Sequence, residues 1–177
     1  ARHRPHANGV DPARVRRMSK LMEPLTFRGG AQARNRCVVA AMTNQTSNAD
    51  GTCSEVEKRF LVRRAAGGFG IVTTCASHVT RDGQGWPGEL GCFDDVHLPG
   101  LRDLADGIHG EGALGLVQIF HGGLRANPDV TGEAPLTASI GPHVPGLLPQ
   151  TRAATTNDLA RIIEHFAAAA ARCEAAG

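Results

Sequence analysis

Short runs of apolar and β-branched residues alternate along the chain with longer stretches in which apolar residues recur at helical spacing. Each short run is bounded by glycine, proline or polar residues, which is typical of strands that end in turns. The sequence therefore predicts strands at residues 25–27, 37–40, 69–74 and 113–119. The run at 69–74 is continuously apolar or β-branched, as expected of a parallel strand that is buried on both faces.

Three amphipathic helices are predicted between and after these strands. The first begins at a cap supplied by Thr52 or Ser54 and runs to about residue 66. The second covers residues 101–111, and the third covers residues 156–176 with Gly177 at the position of a helix C-cap. The apolar stripe of the first helix is Val56, Phe60, Leu61 and Ala65.

This order of elements predicts an α/β fold with parallel strands. Links from helix to strand are short, whereas long Gly/Pro-rich loops at residues 81–99 and 121–155 follow strands, as in a (β/α)8 TIM barrel. A complete barrel needs roughly 250 residues, so about three βα units in 177 residues predict the N-terminal part of one. A doubly wound sheet is the alternative, although no glycine-rich phosphate fingerprint follows the first strand.

Composition and charge narrow the function classes. Hydrophobic residues make up 41% of the chain and the net charge is +2, which favours a globular domain over residues 21–177 and gives no reason to expect nucleic acid as a partner. No apolar run has the length of a membrane span, so no membrane partner is expected. Residues 1–20 are Arg-rich without apolar periodicity and predict a disordered basic tail or an upstream extension.

The cysteines indicate a compartment rather than a site. The five cysteines are widely spaced without a C-x-x-C pair, and no Cys/His pair has metal-ligand spacing. This pattern predicts neither a metal site nor a disulfide framework, and a reducing cytoplasm is the expected location.

Small and polar residues follow two of the predicted strands. Ala40, Ala41, Met42 and Thr43 come at the end of the first barrel strand, where small side chains let a flat ring approach the backbone, Met42 offers a polarizable contact and Thr43 offers a hydroxyl donor. Core packing followed by an ordinary polar loop explains them equally well. In the segment around Ala76, Cys75 is expected to be a buried inert thiol and His78 a structural histidine.

Gln118 lies at the end of the last predicted strand. A glutamine amide is costly to bury unless it is paired, and it offers a donor and an acceptor side by side. That arrangement suits a cyclic imide or pyrimidine edge. The alternative is a core glutamine that bonds to the backbone.

At these residues the sequence resembles the Old Yellow Enzyme-like NADH:flavin oxidoreductases. Residues 40–47, AAMTNQTS, are similar to the family segment A-P-M-T-N-x-x-S, and residues 118–123, QIFHGG, are similar to its Q-L-x-H-x-G. Residues 64–70, 83–91 and 94–101 fit the family pattern in the same order. The resemblance extends from about residue 25 to residue 177.

The resemblance implies a TIM barrel that binds FMN without a covalent bond and passes hydride from NADH or NADPH through the flavin to an electron-poor alkene or related acceptor. It implies that Ala40, Ala41, Met42 and Thr43 line the flavin. Thr43 would act catalytically by tuning the ring through a hydrogen bond, Ala76 would pack on the ring, and Gln118 would bind the pyrimidine edge. The substrate is a small molecule, and the full-length enzyme can form a homo-oligomer.

The resemblance also leaves parts of the family pattern unmatched. Ala41 replaces the usual proline, and Leu124 stands where many members have arginine, with Arg125 next to it. The family's proton donor, substrate-anchoring pair and phosphate-binding arginine are expected beyond Gly177, so the chain alone is expected to be inactive. The alternatives are a non-catalytic half-barrel that pairs with another chain and a flavin-free barrel enzyme for a phosphorylated metabolite.

Overall fold

The computed structural model describes residues 20–139 and 151–177. The tail predicted over residues 1–20 therefore lies outside the described residues apart from Lys20, and so does the part of the second long loop at residues 140–150. In the parts of the chain that are described, none of the helices combines the length and apolar character needed to cross a membrane.

The central feature is a parallel sheet in which strand β4 occupies the middle. Strand β3 (Val38–Val39) pairs along the start of β4 (Ile71–His78), and β6 (Leu114–Phe120) pairs with β4 along its length. A short strand, β5 (Leu90–Gly91), pairs with the last two residues of β4. Since β6 already occupies one side of β4 there, β5 must lie on the side of β3. The predicted α/β fold with parallel strands is confirmed.

Two smaller sheets flank this core. Strand β1 (Leu25–Thr26) forms an antiparallel hairpin with β2 (Gln32–Ala33), a strand that the sequence pattern did not predict. Strand β7 (Leu136–Thr137) pairs in parallel with β8 (Arg152–Ala153), and both lie inside the segment predicted to be a long loop.

All three predicted helices are present. Helix α1 covers Glu55–Ala66 and is capped by Ser54, whose hydroxyl accepts the N–H of Glu57, so the cap is Ser54 and not Thr52. Helix α2 covers Leu98–Gly110 and begins three residues earlier than predicted, with Pro99 in its first turn, where a missing N–H costs nothing. A single turn, α3, covers Pro128–Thr131.

Helix α4 covers Thr156–Ala176 and ends at Gly177, as predicted. Its first turn carries a capping box in which Thr155 and Asp158 satisfy each other's backbone N–H groups. The Arg152 guanidinium forms two hydrogen bonds to the Asp158 carboxylate at 2.8 and 2.9 Å, which ties β8 to the start of this helix.

The buried core lies between the sheet and the helices. Val39 and Val72 pack against Leu61 of α1 and Leu104 of α2. Val56, which the pattern assigned to the buried stripe of α1, is 52% exposed, and that part of the prediction is wrong. Its place at the sheet side is taken by Glu57, whose side chain is completely buried.

Candidate functional site

Strand β4 carries a β-bulge that determines which side chains reach the site. Thr73 pairs with Leu116 of β6, and Ala76 pairs with Gln118, so residues 74 and 75 of β4 stand opposite a single residue of β6. A bulge of this kind reverses the alternation of side chains after the extra residue. Thr73 and Ala76 therefore point to the same face although they are an odd number of residues apart.

That face is the one away from the helices, and we call it the open face. Val72 packs into the core against α1 and α2, so its neighbour Thr73 points the other way. Leu116 pairs with Thr73 and is 49% exposed, as expected on the open face. Gln118 lies two residues further along β6 and shares this face, together with its partner Ala76.

The bulge is stabilised by a side chain. The backbone N–H of Gln118 donates to the hydroxyl of Thr74 at 3.2 Å, which replaces a ladder hydrogen bond that the bulge interrupts. The Gln118 side chain itself is exposed, so the alternative of a core glutamine that bonds to the backbone is wrong. Within residues 20–139 and 151–177 its amide makes no hydrogen bond and is free to pair with a ligand.

The segment after β3 continues past the carboxyl end of that strand. Ala40 and Thr43 are exposed, Ala41 is half-buried and Met42 is 45% exposed. The hydroxyl of Thr43 makes no hydrogen bond to any described residue. Small apolar groups and one hydroxyl without a partner among the described residues thus follow β3 at the carboxyl end of the sheet, the same end at which β4 and β6 carry Ala76 and Gln118.

The loop that follows is held in a strained conformation. Gln45 has a φ of 54°, in the left-handed region that residues with a side chain rarely adopt. The N–H of Ser47 donates to the carbonyl of Gly88 at 3.1 Å, and the hydroxyl of Ser54 donates to the carbonyl of Thr46. A Cβ on Gly88 would lie 2.7 Å from the Gln45 carbonyl oxygen, so only glycine permits this contact.

A buried carboxylate connects this loop to β4. Glu57 accepts a hydrogen bond from the Ser47 hydroxyl on one oxygen and from the Cys75 thiol, at 3.0 Å, on the other. Burial and the Glu57 carboxylate both raise the pKa of Cys75, so this thiol stays protonated and donates. The expectation of an inert Cys75 agrees with this environment.

His78 is structural as well. It is 1% exposed and its ring lies 5.1 Å from that of Phe93, and burial lowers its pKa to about 4. A neutral, enclosed imidazole of this kind is unsuited to act as a base on a ligand at the open face.

A second loop closes over the end of β6. The Trp86 ring lies 5.7 Å from the Phe120 ring, and the N–H of Gly85 donates to the buried carboxylate of Glu89 at 2.6 Å. Burial raises the pKa of Glu89 to about 7. This glycine- and tryptophan-containing segment is therefore organised around an internal carboxyl group.

The open face fits one side of an isoalloxazine ring. Ala76 presents only a methyl group, so a flat ring can approach the backbone of β4 closely. Gln118 next to it offers a donor and an acceptor that are unpaired within the described residues, which is the complement of an imide edge. Thr43 adds a hydroxyl donor at the end of the neighbouring strand.

Comparisons with known proteins agree with this fold. The family model of the NADH:flavin oxidoreductase / NADH oxidase family matches residues 20–177. The probable NADH-dependent flavin oxidoreductase YqiG of Bacillus subtilis is 36% identical over 159 residues, which are 89% of this chain and 42% of that protein. The NADH:acrylate oxidoreductase of Vibrio harveyi is 34% identical over 123 residues, which are 69% of this chain and 12% of that protein.

The structure of the old yellow enzyme homologue from Zymomonas mobilis superposes with a TM-score of 0.78 at 25% identity and covers 89% of this chain and 46% of that one. The fold thus defines part of a parallel α/β barrel, and the prediction of a partial TIM barrel is confirmed. The chain belongs to the NADH:flavin oxidoreductase / NADH oxidase family.

This membership confirms the recognised resemblance and, for the family, the expected FMN cofactor and reduced nicotinamide nucleotide. It favours an enzyme over the half-barrel alternative. The chain spans less than half the length of these relatives. Glu57 is the residue of this region that sequence reasoning missed.

Proposed function

We propose that this chain supplies the N-terminal part of the FMN site of an oxidoreductase that transfers hydride from NADH or NADPH to an electron-poor alkene or a related acceptor. The observation that carries the proposal is the pairing of Ala76 and Gln118 on the open face, where the methyl group of Ala76, 7% exposed, lies beside an amide that makes no hydrogen bond within the described residues. The name of the Vibrio harveyi relative, an acrylate oxidoreductase, supports an alkene acceptor.

The residues of the chain bind and orient the ring. Ala40, Ala41 and Met42 line it from the end of β3, and Ala76 packs against it from β4. Gln118 holds its pyrimidine edge with a paired donor and acceptor, which fixes the ring's rotation in its own plane. None of these five residues needs to move a proton.

Thr43 is the proposed catalytic residue of this half. Its hydroxyl would donate a hydrogen bond to a bound ring and would favour the state with more negative charge on the ring, because a hydrogen bond to a charged acceptor is the stronger one. When bound, FMN supplies the hydride chemistry, and the protein supplies orientation and electrostatics.

The isolated 177-residue chain is proposed to bind FMN weakly and to be inactive, since it brings only one side of the site. The five free cysteines suit a reducing cytoplasm, which we propose as the location. We propose that the substrates are small molecules and that the full-length enzyme can form a homo-oligomer.

The test is the purified native gene product. We expect it to show the visible absorption bands of bound flavin, to bleach anaerobically on addition of NADH or NADPH, and to regain colour when an electron-poor alkene such as acrylate or a cyclic enone is added. A colourless preparation that takes up no added FMN contradicts the proposal. If NADH or NADPH bleaches the protein but no alkene reoxidises it, the result supports the flavin site and contradicts the proposed class of acceptor.

A further inference from the structure

Glu57 is a charged side chain placed inside the protein, where an unpaired carboxylate is strongly unfavourable. It is completely buried, and within residues 20–139 and 151–177 it forms no ion pair with a lysine, arginine or histidine. Its two oxygens instead accept from the Ser47 hydroxyl and the Cys75 thiol. These donors come from two segments, the loop after β3 and the strand β4, that lie 28 residues apart in sequence.

On the loop side, the contact acts on a segment that is already restrained. Ser47 is also held through its N–H to Gly88, and Thr46 is held through its carbonyl to Ser54. Loss of the Glu57 contact would therefore leave the loop attached but less closely positioned. The strained backbone at Gln45 would tend to relax, and Thr43 lies just before it.

On the strand side, the contact acts directly at the bulge. Cys75 is one of the two residues of β4 that stand opposite a single residue of β6 at the bulge, and the residue after it is Ala76. The thiol faces Glu57, so the carboxylate fixes the orientation of the bulge and with it the direction of Ala76. One carboxylate thus holds both Thr43's loop and Ala76's strand.

We propose that Glu57 is a positioning residue that keeps the Thr43 side and the Ala76 side of the flavin site at a constant separation. This rests on the proposed function, because it assigns a role toward the ring that these two residues contact. Glu57 itself does not reach the open face, since it lies in α1 on the helix side of the sheet.

The test compares Glu57→Gln and Glu57→Leu in the native gene product, with Glu55→Gln as the control. Glu55 lies on the same helix, is exposed and makes no side-chain hydrogen bond within the described residues. Glutamine keeps the volume and one acceptor, whereas leucine keeps only the volume. We expect FMN to dissociate about tenfold more readily from the leucine variant and a few-fold more readily from the glutamine variant, in line with one or two lost hydrogen bonds.

A second readout separates positioning from simple support of the fold. The absorption maximum and the midpoint potential of the bound flavin report the distance of the Thr43 hydroxyl from the ring. Both are expected to shift in the Glu57 variants and in Ser47→Ala, which removes only the loop contact, and to stay unchanged in Glu55→Gln. Ser47→Ala keeps the test open if Glu57→Leu fails to fold.

The outcomes distinguish the positioning role of Glu57 from the proposed flavin-dependent function on which it rests. If the wild-type protein takes up no FMN, both are overturned. If the wild-type protein binds FMN and the Glu57→Gln and Ser47→Ala variants melt at lower temperature with unchanged FMN affinity, spectrum and potential, only the positioning role of Glu57 is overturned.

Discussion

Ala76 lies directly opposite Gln118 on the neighbouring parallel strand, and a bulge one residue earlier in β4 is what brings the two side chains to the same face. Without the extra residue, Ala76 would point toward the helices and Gln118 would face the open side alone. This pairing gives a flat heteroaromatic ligand two kinds of contact. The Ala76 methyl group can pack against the face of the ring, and the Gln118 amide can bond to its polar edge. The pairing is the geometric reason for proposing the flavin site at this end of the sheet.

Replacing Gln118 with alanine is expected to weaken FMN binding about tenfold or more, since two hydrogen bonds to the ring edge are removed at once. Because the side chain is exposed and makes no bond within the described residues, the melting temperature of the apoprotein should stay unchanged. Fluorescence titration with FMN measures the first quantity and thermal melting of the apoprotein the second.

The matched control is Gln32→Ala, an exposed glutamine in β2, away from the central sheet. It should leave FMN binding as in the wild type. Equal affinities for FMN in the Gln118→Ala variant and the wild type would remove Gln118 from the site.

The Ser54 hydroxyl bonds both to the first turn of α1 and to the loop after β3. It accepts the Glu57 N–H at 3.1 Å as the cap of α1 and donates to the carbonyl of Thr46 in the loop after β3. We expect Ser54→Ala to lower the free energy of unfolding by about 1–2 kcal/mol, the usual cost of a lost cap. Chemical denaturation of the purified protein measures this loss.

Thr52→Ala provides the comparison, because Thr52 is the other cap candidate in the sequence. Its hydroxyl bonds to the exposed carboxylate of Asp50 at 2.7 Å and caps no helix. The expected loss is within about 0.5 kcal/mol, as for an ordinary surface change. A larger loss for Thr52→Ala than for Ser54→Ala would contradict the capping assignment.

The thiols should differ sharply in reactivity. Burial and the Glu57 carboxylate raise the pKa of Cys53 to about 12 and raise that of Cys75 as well, whereas a hydrogen bond from Cys92 lowers the pKa of Cys173. Since the thiolate is the reacting form, iodoacetamide at pH 8 should modify Cys173 before Cys53 or Cys75. Mass spectrometry of timed digests measures the order, and in denaturant the difference should vanish. Early modification of Cys75 in the folded protein would show that its thiol is not held by Glu57.

Much of the fold could be predicted from apolar spacing and helix caps. The helix at Thr156–Ala176 combines strong periodicity with clear end signals, and the structure has it at its predicted position. The strand predicted over residues 69–74 is observed at Ile71–His78, so it begins two residues later and ends four residues later than predicted, and Ala76 lies inside it. Short strands were harder: β2 and β5 each have two residues, too few for a period to be recognised. Their pairing depends on neighbours distant in sequence.

The decisive parts of the site could not be predicted from local pattern. A bulge at residues 74 and 75 arises from the registers of β4 and β6 together, which no single segment encodes. Glu57 stands three residues after the cap Ser54, a spacing typical of a capping box, yet its side chain binds Ser47 and Cys75. Only the folded arrangement of these groups reveals that use.

Glu89 makes the stability of the protein depend on pH in a definite direction. Burial raises its pKa from 4.5 to about 7, so the folded state holds a proton that the unfolded chain has already released between these values. Its contribution to stability is therefore complete below about pH 4.5 and is lost as the pH rises to 7. His78 acts in the opposite sense, because burial lowers its pKa from 6.5 to about 4 and its contribution is lost as the pH falls through that range.

The pH ranges in which Glu89 and His78 change the stability overlap, and their effects are opposite in sign. The pH dependence of the wild-type melting temperature therefore does not separate them, whereas the difference in melting temperature between a variant and the wild type does. Glu89→Gln keeps an oxygen that can accept the Gly85 N–H but cannot ionise, so its melting temperature should rise relative to the wild type as the pH increases from 5 to 7.5. The difference in melting temperature between the two proteins should become constant above the pKa of Glu89. The effect of His78 is the same in both proteins and does not contribute to this difference. Glu55→Gln, at an exposed position on α1, should show a constant offset over the same range. A gap between Glu89→Gln and the wild type that is independent of pH would mean that Glu89 is ionised in the folded protein throughout, and that the loop around Trp86 is stabilised by a charge and not by a buried neutral acid.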